Sequence, residues 1–279
     1  AASTAMADAV RRAVAAELEI APTDVFFSVT QNHAAPNLGH TFVTDECPLF
    51  PPEYPWLRGG DDRYNPGCVA QCAAAARAAR AHLQPVTLAA GRGIDNRVAF
   101  NRRVVLRDGT ARTHPPQCDP SILHVEGPTD PEVGVLALTG ADGTPVSALL
   151  HHTCHPTYGY PETFVIADWP GEWAERMRER IGGIPLVMNG CCGNIHHYNH
   201  LDPTFVQTWD GYRPMAAKLT ETAMSIMGRL EPVPDAPLAW ARTVLRLPLR
   251  ILTPEVIAQA QAMVDVHPTP LFTNAEKTT

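Results

Sequence analysis

His151-His152-Thr153-Cys154-His155-Pro156 packs three imidazoles and a thiol into five residues, the side chains most used to hold transition metals. It follows the apolar, strand-like run Val146–Leu150. Two further strand-like runs end the same way. Val25–Val29 leads into Thr30-Gln31-Asn32-His33, and Ile184–Met188 leads into Asn189-Gly190-Cys191-Cys192-Gly193-Asn194-Ile195-His196-His197. In α/β folds, ligands sit beyond the carboxyl ends of strands, so the three ends are expected to share one site. His155, past its run and before the rigid Pro156, is the first candidate metal ligand. His151 and His152 alternate across the strand, so at most one can face the site.

Other residues carry two readings each. Asp168, in Ala167-Asp168-Trp169-Pro170-Gly171, is either a helix N-cap followed by an early proline or a group that contacts or orients a ligand. Gly190-Cys191-Cys192-Gly193 lets backbone amides approach a ligand, but no Lys-Ser/Thr follows, so it is not a phosphate-binding Walker loop. Its thiols are either nucleophiles or small buried groups. Asn101-Arg102-Arg103 interrupts a Val/Leu-rich strand. Its arginines are either an exposed pair or include one that faces inwards to hold an oxyanion or carboxylate.

The elements that must position these residues are readable from periodicity. Met6, Val10, Val14 and Leu18 recur every fourth residue behind Ser3 or Thr4, an amphipathic helix with its cap. Residues 36–66, rich in Pro, Gly and aromatics, are expected to form a long loop. Helices are expected over 67–83, 172–181, 214–230 and 254–264, and strands over 25–30, 86–90, 98–106 and 238–249. Val133–Leu138 and Val146–His152 flank Ala141-Asp142-Gly143 as a hairpin. Alternating helices and strands with hairpins predict an α/β fold, a mixed β-sheet flanked by helices, built as a single domain over 1–279.

Composition sets limits. The 279 residues are 45% hydrophobic and 18% charged, with net charge −7, which describes a globular chain with nothing to favour a nucleic-acid partner. No run approaches the ~18 apolar residues of a membrane span. Seven cysteines form no recognisable disulfide framework, and the odd count leans towards a reducing, cytoplasmic compartment. The chain opens without methionine and closes in a polar stretch, so it is expected to be part of a longer protein. Oligomeric state is not encoded in any motif.

Five segments, taken in order, resemble the neutral/alkaline non-lysosomal ceramidase family. They are Ser28–Pro36, Phe100–Arg103, His152–Pro156, Ala167–Gly171 and Asn189–Ile195. The resemblance implies a ceramidase-like catalytic domain that hydrolyses the amide of an N-acylsphingosine, or a related N-acylated conjugate, by attack of a zinc-bound water. By the same resemblance His155 is a zinc ligand, Arg102 contacts the reacting centre, and His33 is a catalytic-site histidine able to serve as a ligand. Gln31 falls on a ligand histidine of the family, which leaves room for a different divalent metal. His196 falls on the position of a serine proposed as nucleophile. Asn101, Asp168, Asn194 and His196 are expected to surround and orient these groups. The family's remaining zinc ligands, a Glu and a Tyr, match nothing here.

Two other functions stay open. Gln31 suits a non-catalytic binding protein that lost part of its metal set, and Cys191 or Cys192 with His196 or His197 suits a thiol enzyme. A small-molecule or lipid-like N-acyl substrate is expected. A polar conjugate such as an acylated amino sugar suits Tyr158, Tyr160, Trp169 and Tyr198 as well as a lipid does.

Overall fold

The computed structural model describes residues 2–40, 58–235, 239–241, 243–248 and 251–266. The chain divides into two compact units, Ala1–Pro234 and Asp235–Thr279. Among the described residues no helix is long and apolar enough to cross a membrane.

The first unit is a mixed α/β fold, as its alternation of elements predicts. Helices α1 (Thr4–Leu18) and α2 (Asn65–Ala81) come first, and Ser3 Oγ caps α1 by accepting from the Met6 amide at 3.2 Å. Strands β1 (Val86–Ile94), β6 (Glu132–Gly140), β7 (Pro145–His152), β8 (Leu186–Asn189) and β10 (Glu231–Pro232) form one sheet in the order β10-β1-β6-β7-β8. The β6–β7 hairpin is present, and every pairing is antiparallel except β7 with β8. That parallel pair is joined through α3 (Asp168–Ile181), the long crossover such pairs require.

Helices α3 and α4 (Tyr212–Met227) pack on each other and cover one face of the sheet. Val133, Val135, Ala148 and Leu150 point into that layer and meet Trp169, Trp173, Met177, Leu219 and Ile226 in one buried cluster. The fit is close enough that a Cβ at Gly91 would lie 2.8 Å from Ile226 Cγ2, so β1 can pass under α4 only with glycine there. His152 faces this layer, fully buried and edge-on to Trp169 at 5.9 Å between ring centres. His151 faces the opposite side, beside Gly134. The two rings thus face opposite sides of β7, as strand alternation demands, and neither joins His33 and His155.

Several expectations are corrected. Residues 25–30 form no strand. They pair with no strand, with Phe26 72% exposed, and Gln31 follows in left-handed backbone at φ 61°. The segment is docked through side-chain amides rather than a ladder, because its apolar residues find no sheet edge to cover. The run 98–106 splits into β2 (Phe100–Asn101) and β3 (Arg103–Leu106). Asn101 causes the break: its Oδ1 accepts from the Arg103 amide at 2.9 Å and its Nδ2 donates to the Gly127 carbonyl at 3.0 Å. Strand β3 then pairs with β4 (Ala111–Thr113) and β5 (Ile122–Val125), while β2 pairs with β9 (Ile195–His196).

In the long segment 36–66, residues 41–57 lie outside the described residues, and α2 begins at Asn65. In the second unit α5 (Pro254–Val266) forms as expected. The described residues of 238–249 adopt no strand, and Val244, Leu245 and Leu247 are exposed without a pairing partner among the described residues.

Candidate active site

The parallel pairing of β7 and β8 places two strand ends side by side, with His152 opposite Asn189. Just beyond them the chain is locked by one side chain. Asn189 Oδ1 accepts from the Cys154 amide at 3.2 Å, and its Nδ2 donates to the Cys154 carbonyl at 3.0 Å and to the Thr30 carbonyl at 2.9 Å. The segment carrying His33 is thereby fastened to the segment carrying His155. The His33 amide adds a bond to the Pro156 carbonyl at 3.0 Å, and Asn32 Nδ2 reaches the Ile166 carbonyl at 2.5 Å.

These anchors bring the His33 and His155 rings together, 4.9 Å between centres and edge-on at 71°. His155 is buried, while His33 lies at the solvent-facing rim. His155 Nδ1 sits 2.6 Å from the Cys192 carbonyl. A carbonyl can only accept, so the proton is on Nδ1 and the Nε2 lone pair is free. Burial lowers the proton affinity of His155, partly opposed by that bond. Burial and the neighbouring His155 lower His33 to about 4. Both rings are therefore neutral at pH 7, the form in which imidazole binds metals or accepts protons.

From His155 the frame continues sideways through main-chain bonds. The His155 amide donates to the Ile195 carbonyl at 3.0 Å, β9 pairs with β2, and the Arg102 amide donates to the Asn194 carbonyl at 2.8 Å. Asn194 enters the site through that carbonyl. Arg102 is half-buried, and its Nη2 donates to the Gly193 carbonyl at 2.6 Å. Its Nε is buried and unpartnered. Burial lowers its proton affinity, and its charge acts on both His33 and His155. Arg103, by contrast, forms an ion pair with Glu126 away from this centre. The two readings of the arginine pair thus separate: Arg103 is the paired one, Arg102 the inward one.

Asp168 does not cap α3, since Ala167 holds that position. It is the first helical residue, at φ 54° and 1% exposed, and its carboxylate accepts from the Tyr158 and Trp169 amides at 2.9 and 2.7 Å. Burial pushes it up to about 6 against those bonds. It fixes the loop that follows His155. Gln31 is exposed at the rim, where its Oε1 accepts from Cys192 Sγ at 3.6 Å. Burial pushes the Cys192 thiol up, the opposite of an activated nucleophile.

Four histidines cluster here; His196 and His197 are candidates from the sequence, whereas sequence reasoning overlooked His114 and His200. His196, the β9 residue, lies 5.2 Å from the His114 ring, 5.3 Å from His200 and 5.7 Å from His197, and His197 stacks on Tyr158 at 3.6 Å. Burial holds His196, His197 and His200 down at about 2, 3 and 4. The density of histidine after Asn194 was the available signal. His114, more than 80 residues earlier, carried none.

Among the described residues, no three of His, Cys, Asp and Glu converge as a metal centre. The donor chemistry nonetheless suits zinc in part: His33 and His155 present neutral imidazoles, one with its ring oriented by a carbonyl.

No family model matches the sequence, and no curated protein matches it. Among solved structures, a neutral ceramidase from Pseudomonas aeruginosa is similar at TM-score 0.58 and 18% identity, covering 80% of this chain and 35% of that one. A ceramidase complexed with C2 is similar at TM-score 0.58 and 19% identity, covering 80% and 34%. The chain thus spans about a third of the length of these proteins, and the likeness is one of fold.

Proposed function

We propose that this chain carries part of the active site of a zinc-dependent hydrolase that cleaves the amide of an N-acyl substrate, either a ceramide or a related N-acylated conjugate. The observation that carries this reading is the pairing of His33 and His155, 4.9 Å apart beyond the ends of β7 and β8, under the charge of an unpaired Arg102. The ceramidase-like fold supports it.

His33 and His155 would hold the metal, which supplies a Lewis acid and a bound water of lowered pKa. Arg102 retains donors on Nε and both Nη nitrogens after its bonds to Gly193 and His114. It is suited to hold the acyl oxygen as negative charge develops there. Alternatively, with its ring not bound to metal, His33, neutral at pH 7 and accessible to solvent, can accept a proton from water and return it to the leaving amine. By the resemblance, His196 stands where a serine would be needed for acyl-enzyme chemistry, and burial pushes the Cys192 thiol up, which favours hydrolysis by water over attack by that thiol.

A second reading, a ligand-binding protein with an incomplete metal set, is favoured by Gln31, whose amide oxygen is engaged by Cys192 rather than presented to the two imidazoles. Metal analysis of the purified protein together with hydrolysis of N-octanoylsphingosine and N-octanoylglucosamine separates the readings. Stoichiometric zinc with zinc-dependent amide cleavage is expected. Absence of both overturns the hydrolase reading.

A further inference from the structure

Resting on the amide-hydrolase reading, we infer that His114 is the positioning residue for Arg102, fixing its guanidinium as a receptor for the substrate's acyl oxygen and the product carboxylate. A guanidinium has five N–H donors and no acceptor. His114 Nε2 lies 3.2 Å from Arg102 Nη1, so that nitrogen must accept, which places the His114 proton on Nδ1. The contact is doubled by the backbone: the His114 amide donates to the Arg102 carbonyl at 3.1 Å.

Among the described residues no carboxylate pairs with Arg102. A half-buried cation held by a neutral imidazole on one side and the Gly193 carbonyl on the other is polarised and oriented, yet not neutralised. Its buried Nε stays unpartnered. Such a guanidinium retains the strength and directionality with which arginine takes up carboxylates. His114 itself is backed by the His196 ring at 5.2 Å, and the backbone at φ 55° is one that histidine tolerates. The imidazole thus sets where the remaining N–H groups point, without touching the ligand.

The test uses octanoate as the probe, titrated calorimetrically into wild type, His114→Leu, His114→Gln, Arg102→Leu and the Arg102→Leu/His114→Leu double variant. Leu and Gln share any backbone cost at φ 55°, but only Gln offers an acceptor near the position of Nε2. Octanoate affinity is expected to fall about tenfold in His114→Leu, the scale of one net hydrogen bond to a charged group, and to recover to within about threefold in His114→Gln. In the Arg102→Leu background, His114→Leu should add no further loss. Equal weakening by Leu and Gln, a further loss in the double variant, or no octanoate binding by wild type would each overturn the inference. Hydrolysis of N-octanoylsphingosine is followed in parallel. Octanoate binding with the expected pattern but no hydrolysis removes the amidase reading alone, whereas hydrolysis without the pattern removes the role of His114 alone.

Discussion

The histidines around β9 make the fold sensitive to mild acid, and the size of the effect follows from burial. His196, His197 and His200 are 4, 3 and 8% exposed and are held at about 2, 3 and 4 in the fold, against an ordinary 6.5. A group whose folded-state pKa is depressed stabilises the fold above its unfolded value and loses that contribution as pH falls. At pH 5 the unfolded chain protonates each ring while the fold protonates almost none, a penalty of about 2 kcal/mol per histidine. This figure depends only on the folded values lying well below 5. Asp168 works in the opposite sense: pushed up to about 6, it favours the fold as pH falls and returns about 1 kcal/mol by pH 5. Allowing half for local relaxation, stability should drop by about 2–3 kcal/mol between pH 8 and pH 5, a large part of the 5–15 kcal/mol typical of a domain. Urea unfolding followed by tryptophan fluorescence at pH 8, 7, 6 and 5 measures it, since Trp169 and Trp173 are fully buried in the core. His197→Phe, which keeps a ring against Tyr158, should remove about a third of the slope. A midpoint that is flat to within about 1 kcal/mol from pH 8 to pH 5 would refute the reasoning.

Three further outcomes are expected. His155→Ala should abolish zinc binding measured by competition with a chromogenic chelator, whereas His151→Ala, on the opposite face of β7, should bind as wild type does. Gln31→His should tighten zinc, because imidazole is a better donor than an amide oxygen and histidine tolerates the left-handed backbone at φ 61°; unchanged affinity means residue 31 does not face the metal. Asn189→Leu strands the Thr30 and Cys154 groups it now satisfies. It should cost about 2–4 kcal/mol of stability by urea unfolding, and a loss below about 0.5 kcal/mol would show that water replaces it freely.

Much of the frame is legible in the sequence because it rests on local periodicity. The four-residue spacing from Met6 to Leu18 marks α1, and the Ala141-Asp142-Gly143 turn between apolar runs marks the β6–β7 hairpin. His155 could be singled out because Pro156 and the end of an apolar run adjoin it. The segment at 25–30 misleads for a physical reason: its composition is strand-like, but strand formation needs a partner edge, and pairing is non-local. Asn101 hides a chain break for a similar reason, since its amide replaces ladder bonds only when Gly127 is near. His114 joins Arg102 and His196 through the fold of β3, β4 and β9, a juxtaposition that no spacing along the chain can announce.

The sideways run of main-chain bonds from His155 through Ile195 and Asn194 to Arg102 and His114 has a consequence for how such a site can change. Each position is held by amide and carbonyl groups common to every residue except proline at the donor sites, so the side chains hang from the frame without building it. A histidine, glutamine or serine can be exchanged at 114 or 196 while the attachment points stay where they are. The same rail can therefore display a complete ligand set, a truncated one or a cluster of imidazoles. New chemistry on this fold requires single substitutions rather than a rebuilt loop.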